Sequence, residues 1–231
     1  MRYIVVIIAA FILMCNLFGC SSNRPYVPRQ SFVKVKAELR SEKCDSDELC
    51  MYQYMASAAS GSIIANKRKS YILTAGHVCN KDAYKAEIGV DHLKVRYRVT
   101  DAHGITHKAR LFKLDKENDL CLLILNQRLN LPPIKLRFHG PIYGEKVYNL
   151  ASPTGFSGKN YVPILEGYYS GFTAFRMIFT VPAIGGSSGS PVFDENGSLV
   201  GVIIAVHTKF PMISFSPHFH AIEEIISSIK N

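Results

Sequence analysis

Between Gly61 and His207 the sequence is a succession of short apolar or alternating runs, each closed by a turn signal. No other feature constrains the fold as much. Gly61-Ser62-Ile63-Ile64-Ala65 and Tyr71-Ile72-Leu73-Thr74-Ala75 flank the basic turn Asn66 to Lys69 and predict a hairpin. Leu93 to Thr100 alternates, with charges at Lys94, Arg96 and Arg98, as a half-buried strand does. Lys108 to Leu114 and Leu120 to Leu125 follow, and Pro132, Pro133 and Gly140 punctuate a connection. A second group comprises Lys146 to Ala151, Tyr161 to Phe172, Met177 to Val181, Ser190 to Phe193 and Leu199 to His207. Asp194-Glu195-Asn196-Gly197 marks a turn within it. Only the tail reads as helix, where Ala221, Ile222, Ile225, Ile226 and Ile229 fall on one stripe. Two runs of strands and a terminal helix point to two small β-barrels. With 48% hydrophobic and 19% charged residues, the 231-residue chain can bury such a core, which excludes wholesale disorder.

The ends of the chain differ in kind from this middle. Arg2 precedes an unbroken apolar run from Tyr3 to Cys15, too short to span a bilayer comfortably, which reads as a signal segment over residues 1–19. Leu17-Phe18-Gly19-Cys20 resembles the lipobox of bacterial lipoproteins, which implies cleavage before Cys20 and acylation of its thiol. Ser21 carries no inner-membrane retention Asp, so the expected location is the cell envelope, lipid-anchored on the periplasmic face, with the outer membrane favoured. An uncleaved anchor with a chance cysteine is the alternative. Residues 20–55, with Pro25, Pro28 and then mixed charges, read as a tether to a domain over 56–231. Residues 21–140 carry 21 basic against 12 acidic side chains, and residues 141–231 carry 5 against 6. This reads as a solvated basic surface; nothing resembles a nucleic-acid motif. Export leaves Cys44, Cys50, Cys79 and Cys121 in an oxidising compartment, where four cysteines allow three pairings. No Cys-x-x-Cys or comparable Cys/His spacing supports a metal site.

Three segments carry chemistry: Leu73-Thr74-Ala75-Gly76-His77-Val78-Cys79, Glu117-Asn118-Asp119-Leu120-Cys121-Leu122-Leu123, and Ile184-Gly185-Gly186-Ser187-Ser188-Gly189-Ser190-Pro191-Val192-Phe193. A serine hydroxyl needs a base to become a nucleophile. Imidazole titrates near neutrality and can take and return that proton. A carboxylate fixes the imidazole tautomer, and a glycine-rich turn can aim backbone N–H groups at a developing oxyanion. Asp115 and Asp101 are the substitutes for Asp119, but neither precedes so apolar a strand. His92, His103, His107, His139, His207, His218 and His220 sit in no such segment.

In these segments the sequence resembles the chymotrypsin-fold (trypsin-like) serine peptidases. Thr-Ala-Gly-His matches that family's histidine segment, and Gly186 to Pro191 matches its serine segment in a register that makes Ser188 the nucleophile. The resemblance implies His77 as general base, Asp119 as its orienting carboxylate, and the amides of Gly186 and Ser188 as oxyanion donors. It implies an all-β fold of two six-stranded antiparallel β-barrels, over about 56–130 and 141–218, with a C-terminal α-helix over about 221–229. It also implies that the segments after His77 and Asp119 approach each other, which favours Cys79–Cys121, leaving Cys44–Cys50.

The Gly-Ser-Pro after the nucleophile resembles the glutamyl endopeptidases, but their carboxylate-binding His would fall on Ile203. The acid of trypsin-type cleavage would fall on Pro182. With Ile203, Ile204 and Ala205 near the expected pocket wall, a small or medium apolar residue is expected before the scissile bond. Ser187 stands where digestive relatives place an activating Asp, so the chain is more similar to HtrA-like peptidases. A protein or peptide substrate is implied, and no metal or organic cofactor. The alternative is an inactive lipoprotein that uses the barrel surface to bind a partner.

Overall fold

The computed structural model describes residues 24–44, 50–66, 68–88, 90 and 93–229. The signal segment and Cys20 lie outside the described residues, as do the side chains of Cys44 and Cys50. The first half is a closed antiparallel barrel. Its strands are β1 (Phe32–Cys44), β2 (Cys50–Asn66), β3 (Ser70–Ala75), β4 (Leu93–Thr100), β5 (Thr106–Asp115) and β6 (Leu120–Leu125), in the order β1-β2-β3-β6-β5-β4.

This corrects the expected tether. β1 pairs with β2 from Phe32↔Ser62 to Cys44↔Cys50, and its other edge pairs with β4 from Lys34↔Thr100 to Ser41↔Leu93. The barrel therefore begins at Phe32 and not at residue 56. The reason is a period of two: Val33, Val35, Ala37 and Leu39 are buried, while Lys34, Lys36, Glu38 and Arg40 face outward. The outward charges give the segment a tether's composition. Ahead of β1, the Tyr26 N–H donates to the Glu195 carbonyl at 2.9 Å. Tyr26 also packs on Gly197, where an added Cβ would lie 2.3 Å from its ring.

Helix α1 (Lys81–Ile88) follows the histidine segment and was not expected. None of its residues is buried, so no apolar stripe announces it.

The second half holds seven strands, not six: β7 (Lys146–Leu150), β8 (Ile164–Phe172), β9 (Arg176–Phe179), β10 (Pro191–Phe193), β11 (Leu199–Val202), β12 (Ala205–Val206) and β13 (Ser214–Pro217). They form one antiparallel sheet ordered β11-β10-β7-β8-β9-β13-β12. The run Leu199 to His207 is two strands, because Ile203 N–H turns to Ser190 O and Ile204 N–H to Phe215 O. Helix α2 (Phe219–Ser227) closes the chain, with Phe219, Ala221, Ile222 and Ile225 buried.

Each half has its own core, and β3 and β6 are the wall between them. Leu73, Leu120 and Leu122 pack with Phe179, Phe193 and Ile222, whereas Ile72, Cys121 and Leu123 pack with Val33, Val35 and Ile63. All six residues of β6 are buried, because both of its faces meet apolar side chains.

Cys79 and Cys121 form a disulfide, Cα to Cα 6.3 Å, across 42 residues of sequence. It joins the turn after His77 to β6. Replacing both cysteines by alanine is expected to cost about 3–4 kcal/mol, chiefly through a less constrained unfolded chain. Urea unfolding measures this; a loss under about 1 kcal/mol would show that the bridge does little for stability.

Candidate active site

His77 sits in the 3-10 turn Gly76–Val78 at the end of β3, and Asp119 immediately precedes the adjacent β6. Gly76 makes their approach possible, since an added Cβ would lie 2.7 Å from the Asp119 carbonyl carbon. Three hydrogen bonds join the segments. Gly76 N–H donates to Asp119 O at 2.7 Å, His77 N–H to Asp119 Oδ1 at 2.6 Å, and His77 Nδ1 meets Asp119 Oδ2 at 2.8 Å. An ionised carboxylate only accepts, so Nδ1 carries the proton and Nε2 presents a lone pair. Asp119 has φ of 52°, a left-handed conformation that Asp tolerates better than most residues. The substitutes are occupied elsewhere: Asp101 Oδ2 meets His107 Nε2 at 2.8 Å, and Asp115 Oδ2 accepts from Asn118 Nδ2 at 2.8 Å.

The three serines of the glycine-rich turn have different surroundings. Ser187 is 1% exposed, and its Oγ lies 3.3 Å from the Ile184 N–H. Ser190 is fully buried and accepts from Asn149 Nδ2 at 2.8 Å. Ser188 is partly exposed and lines one cavity together with His77. Of the three, Ser188 is the one that shares a cavity with His77.

Around it the peptide groups are fixed one by one. The carbonyl of Gly185 accepts from Thr154 N–H at 2.7 Å, that of Ser187 from Ser190 N–H at 3.0 Å, and that of Ser188 from Ser60 N–H at 2.8 Å. The N–H of Ser187 donates to Ile184 O at 2.9 Å and that of Gly189 to Ile203 O at 2.6 Å. Among the described residues the N–H groups of Gly186 and Ser188 have no acceptor. In a planar trans peptide the N–H points opposite to its carbonyl. The held carbonyls of Gly185 and Ser187 thus aim the next two amides away from their anchors, the arrangement an oxyanion site requires. Gly186 has φ of +93°, and a Cβ there would lie 2.5 Å from Ser152 O, so no other residue fits.

Ser60 is a site residue that sequence reasoning missed. From the middle of β2 its Oγ donates to the Gly186 carbonyl at 2.9 Å and accepts from Ser152 N–H at 2.9 Å. Its own carbonyl accepts from Thr74 Oγ1 at 2.7 Å. One residue of the first barrel thereby holds the nucleophile turn at two points. Gly189, with φ of +82°, lets the turn lie against β2, since a Cβ there would be 2.3 Å from Ser60 O. In the run Ala58-Ala59-Ser60-Gly61-Ser62 nothing distinguishes Ser60 from its neighbours. Its register opposite Lys34 puts Ser60 on the outer face of the barrel, where the second half of the chain covers it, and local pattern does not record that burial.

The residues expected to wall the substrate pocket are placed unevenly. Ile203 and Ile204 are 1% and 5% exposed and belong to different cores. Their side chains pack inside the fold, while Pro182 and Ala205 remain partly exposed. On the other side of His77, Tyr97 Oη donates to the Cys79 carbonyl at 3.1 Å and Tyr84 Oη to the Val78 carbonyl at 3.3 Å. Burial pushes both phenols up, Tyr97 to about 12, so both remain donors at neutral pH.

A closed antiparallel barrel and a second antiparallel sheet, with a hydrogen-bonded His77–Asp119 pair and a Ser188 that lines one cavity with His77, in that chain order, fit a peptidase domain of the chymotrypsin fold. The family model described as trypsin-like peptidase domain matches residues 59–202, and the chain belongs to that family. No curated protein matches it at the level of sequence. The crystal structure of the serine endoprotease from Yersinia pestis is similar in fold, with a TM-score of 0.63 and 20% identity over 87% of this chain. The chain spans 63% of the length of that structure.

Proposed function

We propose that the protein is a membrane-anchored serine endopeptidase that hydrolyses peptide bonds through an acyl-enzyme. The observation that carries this is the pair of unpartnered amides at Gly186 and Ser188, beside a His77 whose tautomer Asp119 fixes. Ser188 Oγ attacks the scissile carbonyl while His77 Nε2 takes its proton. The carbonyl oxygen, now negative, is received by the two amides. His77 returns the proton to the leaving amine, and water repeats the sequence to release the acid. The missing carboxylate or acid determinants at Ile203 and Pro182, and the small side chain of Ala205, support a small or medium apolar residue before the scissile bond. The lipobox-like Leu17 to Cys20 supports an acyl anchor at Cys20 and a place on the periplasmic face of the envelope.

The test is labelling by a serine-directed fluorophosphonate. Parent and Ser187→Ala are expected to label, and Ser188→Ala is not. A folded parent that fails to label, beside a partner captured on the barrel surface, would instead favour the binding-module reading.

A further inference from the structure

We infer that an exposed apolar face on the second half of the chain lies against the lipid bilayer, a non-covalent contact beside the acyl anchor. The inference rests on the anchored reading above and deepens it. Phe138 is fully exposed, and Ile142, Tyr143, Phe172 and Phe175 are between 66% and 81% exposed. Contacts gather them from separate parts of the sequence into one face. The Tyr143 ring lies 3.7 Å from where a Cβ on Gly171 would stand. The Phe172 ring meets His218 edge-on, ring centres 5.7 Å apart, just before α2. Gly140, close to Phe138 in the chain, packs on Phe219 at the start of α2, where an added Cβ would lie 3.4 Å from the Phe219 Cβ. Phe175 sits in the turn between β8 and β9, closed by Thr173 N–H donating to Arg176 O at 2.8 Å. Single exposed apolar side chains are ordinary on a folded protein, but a contiguous set marks a surface that meets something.

The anchor leads to the edge of this face. Arg137 N–H donates to Leu199 O at 3.2 Å, and its guanidinium pairs with Glu145 and lies 3.4 Å from Asp194 Oδ2. The loop that bears Phe138 is thereby fastened to the turn after Asp194, and two nearby carboxylates are matched by one cation. On that same turn the Tyr26 N–H donates to Glu195 O at 2.9 Å. From Cys20 to Tyr26 the chain reaches about 20 Å when fully extended. A bilayer that holds acyl chains on Cys20 therefore comes within one short leash of this edge. Phe, Tyr and Ile suit the interfacial layer, where rings and aliphatic carbon leave water and the Tyr hydroxyl stays among the headgroups. A protein partner could cover the same carbon, but only the bilayer is brought to this edge by the chain itself.

The chain has no Trp, so one introduced at position 138 reports from this face alone. The protein is expressed from the full sequence, extracted from membranes and placed in vesicles of phosphatidylethanolamine and phosphatidylglycerol, with or without bromine on the acyl chains. In Phe138→Trp the emission is expected to shift to the blue and to lose at least about half its intensity to the brominated chains, because an interfacial side chain sits about 5–10 Å into that boundary. Phe112→Trp, on β5 of the first barrel, should lose little and stay open to iodide in the water. Adding Ile142→Ser and Phe175→Ser to the Phe138→Trp protein should cut the quenching at least about twofold, with fluorophosphonate labelling at Ser188 unchanged. Mass spectrometry of the peptide that begins at Cys20 is read first. Acyl chains on Cys20 and flotation with the vesicles, with the probe at 138 still open to iodide, overturn the inference and leave the anchor standing. A blue-shifted probe that bromine does not reach means that a protein, a second copy included, covers the face, and overturns the inference as well. A chain that neither carries acyl groups on Cys20 nor floats with the vesicles overturns both readings.

Discussion

Asp119→Asn is expected to lower kcat by about 10⁴-fold while leaving the fold in place. The backbone carbonyl of residue 119 still accepts from Gly76 N–H, and an amide oxygen can still accept from His77 N–H as Oδ1 does. What changes is the group opposite His77 Nδ1, now 2.8 Å from Oδ2. An amide NH₂ there is a donor, so Nδ1 must become the acceptor and the proton moves to Nε2. An imidazole in that tautomer cannot take the Ser188 proton. Steady-state kinetics on a peptide substrate, with thermal unfolding alongside, measures the effect. A variant that keeps a tenth of the parent kcat would show that Asp119 does not set the tautomer.

Ser60→Ala is expected to lower kcat by about tenfold to a hundredfold with KM nearly unchanged. The substitution removes the hydroxyl between the Gly186 carbonyl and the Ser152 amide, both at 2.9 Å, in a residue that is fully buried. Two polar groups lose their partner, at about 1–3 kcal/mol each. The peptide between Gly186 and Ser187, which joins the two proposed oxyanion donors, then loses an anchor, and only the transition state carries the charge those donors would receive. Ser60 is a positioning residue, so the decisive readouts are ones that simple loosening of the fold does not move. The pH profile of kcat/KM should be unshifted, because His77 and Asp119 are untouched. Affinity for a peptide aldehyde should fall in step with kcat, and Ser60→Thr should restore part of both. A shifted pH profile, or an aldehyde affinity equal to the parent's, would place the defect elsewhere.

The residues proposed for catalysis were legible because the chemistry proposed for them demands particular types in particular order. His77, Asp119 and Ser188 stand next to strand sequences that fix where they point, and the structure brings the first two into contact and the first and third into one cavity. The boundaries of β4 and β6 follow directly from alternation and from an unbroken apolar run. The misses have physical reasons. β1 hides its inward Val33, Val35, Ala37 and Leu39 among charges, so composition outweighed period. Helix α1 buries nothing and has no stripe to read. β13 is four residues that include Pro217, too short and too mixed to stand out. Ser60 acts through a contact 126 residues away along the chain, and local pattern holds no record of that. The pocket wall was expected from the family resemblance, and in the structure the side chains of Ile203 and Ile204 pack into the two cores.

The docking of Tyr26 on the turn from Glu195 to Gly197 sets a leash length. Where Cys20 carries acyl chains, the stretch between bilayer and enzyme runs only from Cys20 to Tyr26, because the chain is already fastened at its far end. Fully extended, that stretch reaches about 20 Å. A peptidase so held patrols a shell one domain deep. Under that proposed anchoring, address would choose the clientele before any pocket is consulted: loops that rise from the same membrane, tails that hang close to it, and neighbours anchored beside it.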